Sequence, residues 1–293
     1  ARDLSSLTLP LITDIINTWL QSEEYEMMCK GQAYYEGKHD ILENVYVSGD
    51  KVGNVRTENT VNPYMYELVE EKTGISLGKM PDFVQETDNS IKLLDEFFKQ
   101  INQQQFHKTL KNISKNSRNK GVEWLLVGVK EGGFNYQRID ARECIPIFNN
   151  NSVKEYSTLD SVLRFYSVVM KDMDIYTNTI KEYNIYRVEW YFKDGIEVYQ
   201  QKKQNGLFVR VDNDKILVDN EGNQLNQGKQ FHVADIKKDA EGNEIVTGGF
   251  NWGVIPIIPF ANNAEWIPDI QRLKSLIDKV DELVTDDRIE QNQ

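Results

Sequence analysis

Cysteine is nearly missing from this chain. Only Cys29 and Cys144 occur, neither in a Cys-x-x-Cys pair nor beside a histidine. That excludes a disulfide scaffold and fits two isolated buried thiols in a reducing, intracellular setting. Histidine is as scarce: His39, His107 and His232 are scattered, with no His-x-x-x-His spacing that would suit structural zinc. No apolar run approaches the roughly 20 residues needed to cross a bilayer, and the first residues lack a basic-then-apolar pattern. Positive charge is in deficit, with 34 Lys+Arg against 46 Asp+Glu and a formal net charge of −12. A protein that grips nucleic acid by neutralising phosphates needs the opposite balance.

Catalytic signatures are missing as well. Gly74-Ile75-Ser76-Leu77-Gly78-Lys79 resembles a phosphate loop but has one residue too few between its glycines. Met80 stands where a Mg²⁺-binding hydroxyl belongs, and the segment closes a helical pattern where it should open one. Asp212, Asp214, Asp219 and Glu221 lack the spacing and the distal glutamate of a Ca²⁺ loop and read as solvated turns. There is no Gly-x-Ser-x-Gly elbow. The expectation is a protein that is not an enzyme and needs no cofactor or metal.

What is present is enough for a sizeable core: 40% of residues are apolar and 11% aromatic. At this length one large domain or two modest ones are expected. The first ~120 residues read as helical. Ile12, Ile15, Ile16, Trp19 and Leu20 make one apolar face, and Ser22 before Glu23-Glu24 reads as a cap for a second helix that stops at Gly37. Asn62-Pro63 reads as the cap and first position of a third, which carries Met65, Leu68, Val69 and Ile75. Asp88 reads as the cap of a fourth, with Ile91, Leu94, Phe97, Phe98 and Ile101 inward, and Phe106, Leu110 and Ile113 carry a fifth. Val45–Val61 fits either a hairpin or an ordered loop.

From Val122 the pattern changes to strands. Trp124–Val129 reads as a buried strand, Glu131-Gly132-Gly133 as a turn and Phe134–Ile139 as its partner. Tyr183–Gln200 alternates around Lys193-Asp194-Gly195, a hairpin signal. Turn clusters at 204–206, 219–222 and 239–243 keep the segments short, so 122–254 is expected to be antiparallel β. Its aromatics, Tyr183, Tyr186, Trp190, Tyr191, Phe192 and Tyr199, fit core and cross-strand pairs, or a platform for a protein or glycan.

The chain then passes through Ile255-Pro256-Ile257-Ile258-Pro259-Phe260 and an Asn262-Asn263 corner into a helix opened by Pro268-Asp269. Ile270, Leu273, Ile277, Val280 and Val284 recur at spacings 3, 4, 3, 4, and Leu276 and Leu283 widen the stripe. So broad an apolar face needs a partner surface. The fold class is α+β: a helical part over 1–121, an antiparallel β-rich region over 122–254, and over 255–293 an apolar strand or loop leading into a long amphipathic helix.

One stretch stands out by charge. Phe97–Val122 has no acid, and Lys108, Lys111, Lys115 and Arg118 share one helical face. The stripe fits a solvated face, a contact between subunits, or a DNA contact. The acids from Asp278 to Glu290 offer an opposite pole.

Four segments in order carry a family resemblance: Tyr34-Tyr35-Glu36-Gly37-Lys38-His39-Asp40-Ile41, Asn62-Pro63-Tyr64, Ile75-Ser76-Leu77-Gly78-Lys79-Met80-Pro81, and the run from Ile255 through Asn263 into the last helix. Together they resemble portal proteins of long-tailed phages that infect Gram-positive bacteria; Met80 before Pro81 departs from the family's Gly-Lys-Pro. The resemblance implies a portal-like fold and a structural subunit of a homo-oligomeric ring, usually a dodecamer, at one capsid vertex of a bacteriophage virion, assembled in the host bacterial cytoplasm. It implies a head-tail connector that forms the passage for double-stranded DNA in packaging and ejection, without sequence-specific binding or membrane attachment. Terminase large subunit docking is implied, as are contacts with head-completion or adaptor proteins and with capsid or scaffolding proteins. An acidic balance suits a conduit past which DNA slides better than a clamp, though solubility alone also accounts for it. By the same resemblance, 1–121 belongs to the wing and the last helix is directed toward the stem or channel, with its five apolar positions serving the oligomer. Family members run longer, so the chain reads as the N-terminal portion of a portal. The alternative is a non-enzymatic module whose aromatic β region binds protein or glycan.

Overall fold

The computed structural model describes residues 5–43, 59–81, 91–103, 105–130, 133–149, 153–174, 179–203, 206–211, 229–238 and 244–291. Contacts divide the chain into two compact units that cut across its linear order. One comprises Ala1–Ser22 with Trp124–Pro259, the other Glu23–Glu123 with Phe260–Gln293. The first helix therefore belongs with the strands, and the last helix with the other helices.

In the first unit, helix α1 (Ser5–Leu20) lies on a five-stranded antiparallel sheet. The strands are β3 (Cys144–Phe148), β4 (Leu159–Asp174), β5 (Thr179–Phe192), β6 (Gly195–Gln201) and β7 (Phe208–Arg210), in that spatial order. Ile12 and Ile16 of α1 are buried against Ile145, Leu163, Phe165, Val188, Tyr199 and Phe208, with Ile15 and Trp19 packed beside them. Leu20, read as part of that face, is exposed. Phe165 stands opposite Val188 and Leu163 opposite Trp190, so cross-strand pairs build the sheet side of this core. The expected β5–β6 hairpin is present, with Phe192 paired to Gly195 across Lys193-Asp194.

β1 (Val122–Lys130) pairs with β2 (Gly133–Ile139) and with β10 (Ile257–Ala261) in a three-stranded sheet ordered β10-β1-β2. Trp124 and Ile139 face each other and are buried, as a strand over 124–129 requires. β8 (Val233–Lys238) and β9 (Glu244–Phe250) form a separate antiparallel pair.

In the second unit, α2 (Glu23–Tyr35) ends at Gly37, whose φ of 73° is one that an L side chain disfavours. The amide of Lys38 reaches Ala33 O and that of Gly37 reaches Tyr34 O, a Schellman closure. A 3-10 turn over Asp40–Glu43 follows. Next come α3 (Tyr64–Leu77), α4 (Ile91–Gln103), α5 (Phe106–Lys120) and, after β10, α6 (Ile270–Gln291). Gly78 closes α3, so the Gly74–Lys79 segment does end a helix.

Two expectations are corrected. Helix α3 begins one residue late, with Pro63 rather than Asn62 in the capping place and no side-chain cap. The amide of Asn62 is drawn instead to a carboxylate oxygen of Asp281 at 2.8 Å. Cys144 is buried but Cys29 is only half-buried, so the two thiols are not alike. Asp88, most of Val45–Val61, and Asp212, Asp214, Asp219 and Glu221 lie outside the described residues, as do the turns at 219–222 and 239–243.

Candidate functional site

The densest set of convergent polar groups in the second unit holds α6 against α2 and the turn that follows it. It begins at the Asn262-Asn263 corner. Asn263 Oδ1 accepts from Ile267 N at 3.0 Å, and its Nδ2 donates to Ile267 O at 2.8 Å. Asn262 Nδ2 donates to Asp269 Oδ1 at 2.9 Å. This lock forces Trp266 to a φ of 58°, a left-handed conformation that costs a residue with a Cβ about 1–2 kcal/mol. Two glycines make the approach possible. A Cβ on Gly121 would lie 2.1 Å from Trp266 O, and one on Gly31 would lie 1.9 Å from Asn119 O. Asp269 then fixes the helix start, its amide donating to Arg118 O at 2.9 Å and its carboxylate accepting from Lys72 at 3.0 Å.

Farther along α6, Ile270 and Ile277 are buried at 0% and 3% exposure in a cluster with Tyr34, Met65 and Val69, joined by Leu273. Beside that apolar seam runs a polar one. Lys274 bonds Asp278 at 2.5 Å and Asp40 at 2.8 Å, and Lys30 reaches Asp40 at 2.6 Å. Tyr34 donates its hydroxyl to Asp278, and burial together with that carboxylate pushes the phenol up to about 12. His39 stacks on the Tyr34 ring with centroids 4.3 Å apart. Its Nδ1 meets Asp281 Oδ2 at 2.5 Å and its Nε2 meets Tyr34 O at 3.0 Å, both side chains fully buried. Asp281 Oδ2 and Tyr34 O thus occupy both ring nitrogens of His39. Thr60 N donates to Thr285 Oγ1 at 3.1 Å, extending the seam toward the helix end.

The residues singled out from the sequence fall as follows. Ile270 and Ile277 are buried, Leu273, Val280 and Val284 are half-buried, and Leu276 and Leu283 are exposed at 63% and 53%. On α5, Lys108 is exposed, Lys111 is half-buried, and Lys115 is paired with Glu70 at 2.7 Å. Glu70 also accepts from Tyr35 at 2.7 Å. Hydrogen bonding to Lys115 holds the Glu70 carboxyl below its ordinary range. Arg118 is half-buried. Asp278 and Asp281, read with the later acids as a pole opposite the basic stripe, bond within the subunit: half-buried Asp278 to Tyr34 and Lys274, and buried Asp281 to His39. The sequence signal for this was their spacing: Lys274, Asp278, Asp281 and Thr285 recur at 4, 3, 4, parallel to the apolar stripe. Tyr183 and Tyr186 are half-buried and exposed, whereas Tyr191 and Tyr199 lie in the core. Among the described residues no group of three or more His, Cys, Asp or Glu side chains converges as a metal site would require, and no helix is long and apolar enough to cross a membrane.

Residues 20–288 match the family model of phage portal proteins of the SPP1 Gp6-like type. The chain belongs to that family. It is also similar to the portal protein of Bacillus phage SPP1, at 27% identity over 286 residues that cover 93% of this chain and 48% of the relative. The chain thus spans about half the length of that curated portal protein.

In this portal-family chain the segments that carried the resemblance have physical tasks. Gly37 closes α2, His39 and Asp40 face α6, Ile41 is buried, and Tyr34 and Tyr35 tie α2 to α6 and α3 through Asp278 and Glu70. Asn62 supplies the amide that completes Asp281, and Asn262 and Asn263 set the entry angle of α6. Three of the four segments thus bear on the placement of α6, while Ile75–Pro81 closes α3 and its Leu77 carbonyl accepts from His107 of α5.

Proposed function

We propose that this chain is part of the structural subunit of a ring-shaped phage portal, a capsid component and head-tail connector that forms a channel for DNA packaging and ejection and docks the terminase. Five apolar positions of α6, Ile270, Leu273, Ile277, Val280 and Val284, orient that helix for oligomer or channel duty. The basic positions Lys108, Lys111, Lys115 and Arg118 serve contacts to neighbouring subunits or to DNA. The observation that carries the reading is the family match across residues 20–288. It is joined by an α6 that is fixed on one face and leaves Leu276 and Leu283 exposed on another. A helix held by a buried His–Asp contact and a stacked aromatic is placed with a defined register, which suits a part that works by geometry.

The test is native mass spectrometry and negative-stain microscopy of the full-length gene product. A closed ring supports the portal reading. A stable monomer of the complete protein at micromolar concentration overturns it and favours a stand-alone binding module.

A further inference from the structure

Where the chain leaves β9 it is tied to the start of β8 through two polar side chains. The amide of His232 donates to Asn251 Oδ1 at 3.0 Å, and Asn251 Nδ2 donates to Asp194 O at 2.7 Å. The amide of Trp252 then meets His232 Nδ1 at 3.2 Å. A backbone N–H can only donate, so Nδ1 is the accepting, hydrogen-free nitrogen and the ring hydrogen sits on Nε2. An imidazolium carries hydrogens on both nitrogens and has no acceptor left. This contact therefore exists only while the ring is neutral, and histidine is the side chain that changes charge near physiological pH.

The surroundings favour that neutral ring. Burial lowers the pKa of His232, outweighing the backbone of Phe192 and Gly195 and the carboxylate of Asp194, which raise it. Asp194 is itself engaged, accepting from Lys229 at 2.7 Å, and the same ammonium lies 4.1 Å from the centre of the Phe192 ring. From the β9 side Phe250, Asn251 and Trp252 bring no charge, and Asp235, the next acid along β8, lies against Gly248. A group whose folded-state pKa is depressed contributes stability above its unfolded value, and that contribution is lost as pH falls through the folded value. What the contact restrains is exposed. Phe250 and Trp252 stand edge-to-face with ring centres 5.5 Å apart, open to solvent at 50% and 36%.

We propose that His232 is a pH-sensitive latch: protonation of its ring replaces the acceptor of the Trp252 amide with a second donor and frees the β9 exit from the start of β8. The Asn251 contacts do not titrate, so they hold in both states and confine the change to Trp252 and the residues after it. Gly253, at a φ of 70°, follows directly and gives the freed segment a backbone that other residues rarely adopt. The exposed Phe250–Trp252 aromatic pair is then held in one arrangement at neutral pH and loosened in acid. The latch lies within one subunit and does not depend on assembly.

The test is hydrogen exchange of the full-length protein, read by mass spectrometry over residues 250–255 between about pH 8 and about pH 5. Rates are corrected for the intrinsic pH dependence of exchange. Protection of the Trp252 amide is expected to fall about fivefold toward acid, the equilibrium weight of one ordinary hydrogen bond, while β3 keeps its protection. His232→Asn places an uncharged oxygen acceptor near the position of Nδ1 and is expected to hold protection at both ends of the range. His232→Ala has no acceptor and is expected to show the reduced protection already at neutral pH. Wild-type protection that does not change with pH overturns the latch, as does a His232→Asn protein that loses protection as the wild type does. A His232→Ala protein protected like the wild type at neutral pH overturns it too. A fall shared equally by β3 reports general acid unfolding and counts against the latch in the same way.

Discussion

His39 and Asp281 illustrate what a single buried pair can decide. Both side chains are fully enclosed, and Asp281 also accepts from the amide of Asn62. Removing one partner leaves the other charged or polar group without compensation, so His39→Ala or Asp281→Ala is expected to cost the helical unit about 3–5 kcal/mol, measured by denaturant unfolding. The double change His39→Leu with Asp281→Leu leaves neither side chain without its partner, and it is expected to cost less than either single truncation. A double variant worse than both singles would refute the idea that the pair serves register more than stability. Titration gives a second test at this scale. The Tyr34 phenol is pushed up to about 12 by burial and by Asp278, so the folded state holds that proton more tightly than the unfolded chain does. Its contribution is complete below the ordinary tyrosine range and is lost as pH rises through about 12. Lys274 is displaced upward too, because Asp278 and Asp40 outweigh its burial. At the acid end Glu70 is held low by Lys115, so its contribution is present above the ordinary carboxylate range and fades as pH falls through its depressed value. Hydrogen exchange of α6 against pH is expected to show a loss of protection at alkaline pH that Tyr34→Phe blunts. Tyr166 and Tyr199, raised by burial in the other unit, continue to act on the sheet in that variant.

Among the elements, α6 separates apolar positions that a helical wheel treats alike. Ile270→Ala and Ile277→Ala open cavities in a packed seam and are expected to cost about 2–5 kcal/mol each. Leu276→Ala removes an exposed side chain and is expected to stay within about 0.5 kcal/mol in the unassembled subunit. Thermal melts of the three variants decide this, and equal losses would mean that the helix docks by another face. The existence of this helix, its opening near Pro268-Asp269 and its apolar stripe were legible in the sequence because local periodicity carries them. The stripe of Ile270, Leu273 and Ile277 is the buried one, but its widening to Leu276 and Leu283 does not hold, since the surface offered by Tyr34, Met65 and Val69 is only wide enough for the stripe. The polar seam was hidden for a related reason: His39 and Asp281 are 242 residues apart, and an acid on an amphipathic helix is by default read as solvated. The capping place of α3 was misjudged by one residue because a tertiary acceptor competes for the Asn62 amide. The strands fared better. The Lys193-Asp194 turn and the alternation of β5 and β6 are short-range signals, and the observed register follows them.

At the scale of the whole molecule, chain order and folded order diverge, and that divergence can be tested. The first 22 residues precede a long helical stretch, yet α1 is grouped with the β unit, covering Leu163, Phe165, Val188 and Tyr199 with Ile12 and Ile16. The indole of Trp19 adds a hydrogen bond to Arg142 O at 3.4 Å, again within that unit. Deleting residues 1–22 from the full-length protein therefore exposes one face of the five-stranded sheet. Truncating a single buried isoleucine to alanine already costs about 2–5 kcal/mol, and this deletion removes two together with the half-buried Ile15 and Trp19. A domain's net stability is only about 5–15 kcal/mol, so the sheet unit is expected to lose most of its margin. The helical unit keeps its own core of Tyr34, Met65, Val69, Ile270 and Ile277 and loses none of it. Hydrogen exchange read by mass spectrometry is expected to show β3–β6 losing protection while α2, α3 and α6 keep theirs. Loss confined to the helices, or spread evenly over both units, would mean that α1 belongs to the helical layer that its place in the sequence suggests.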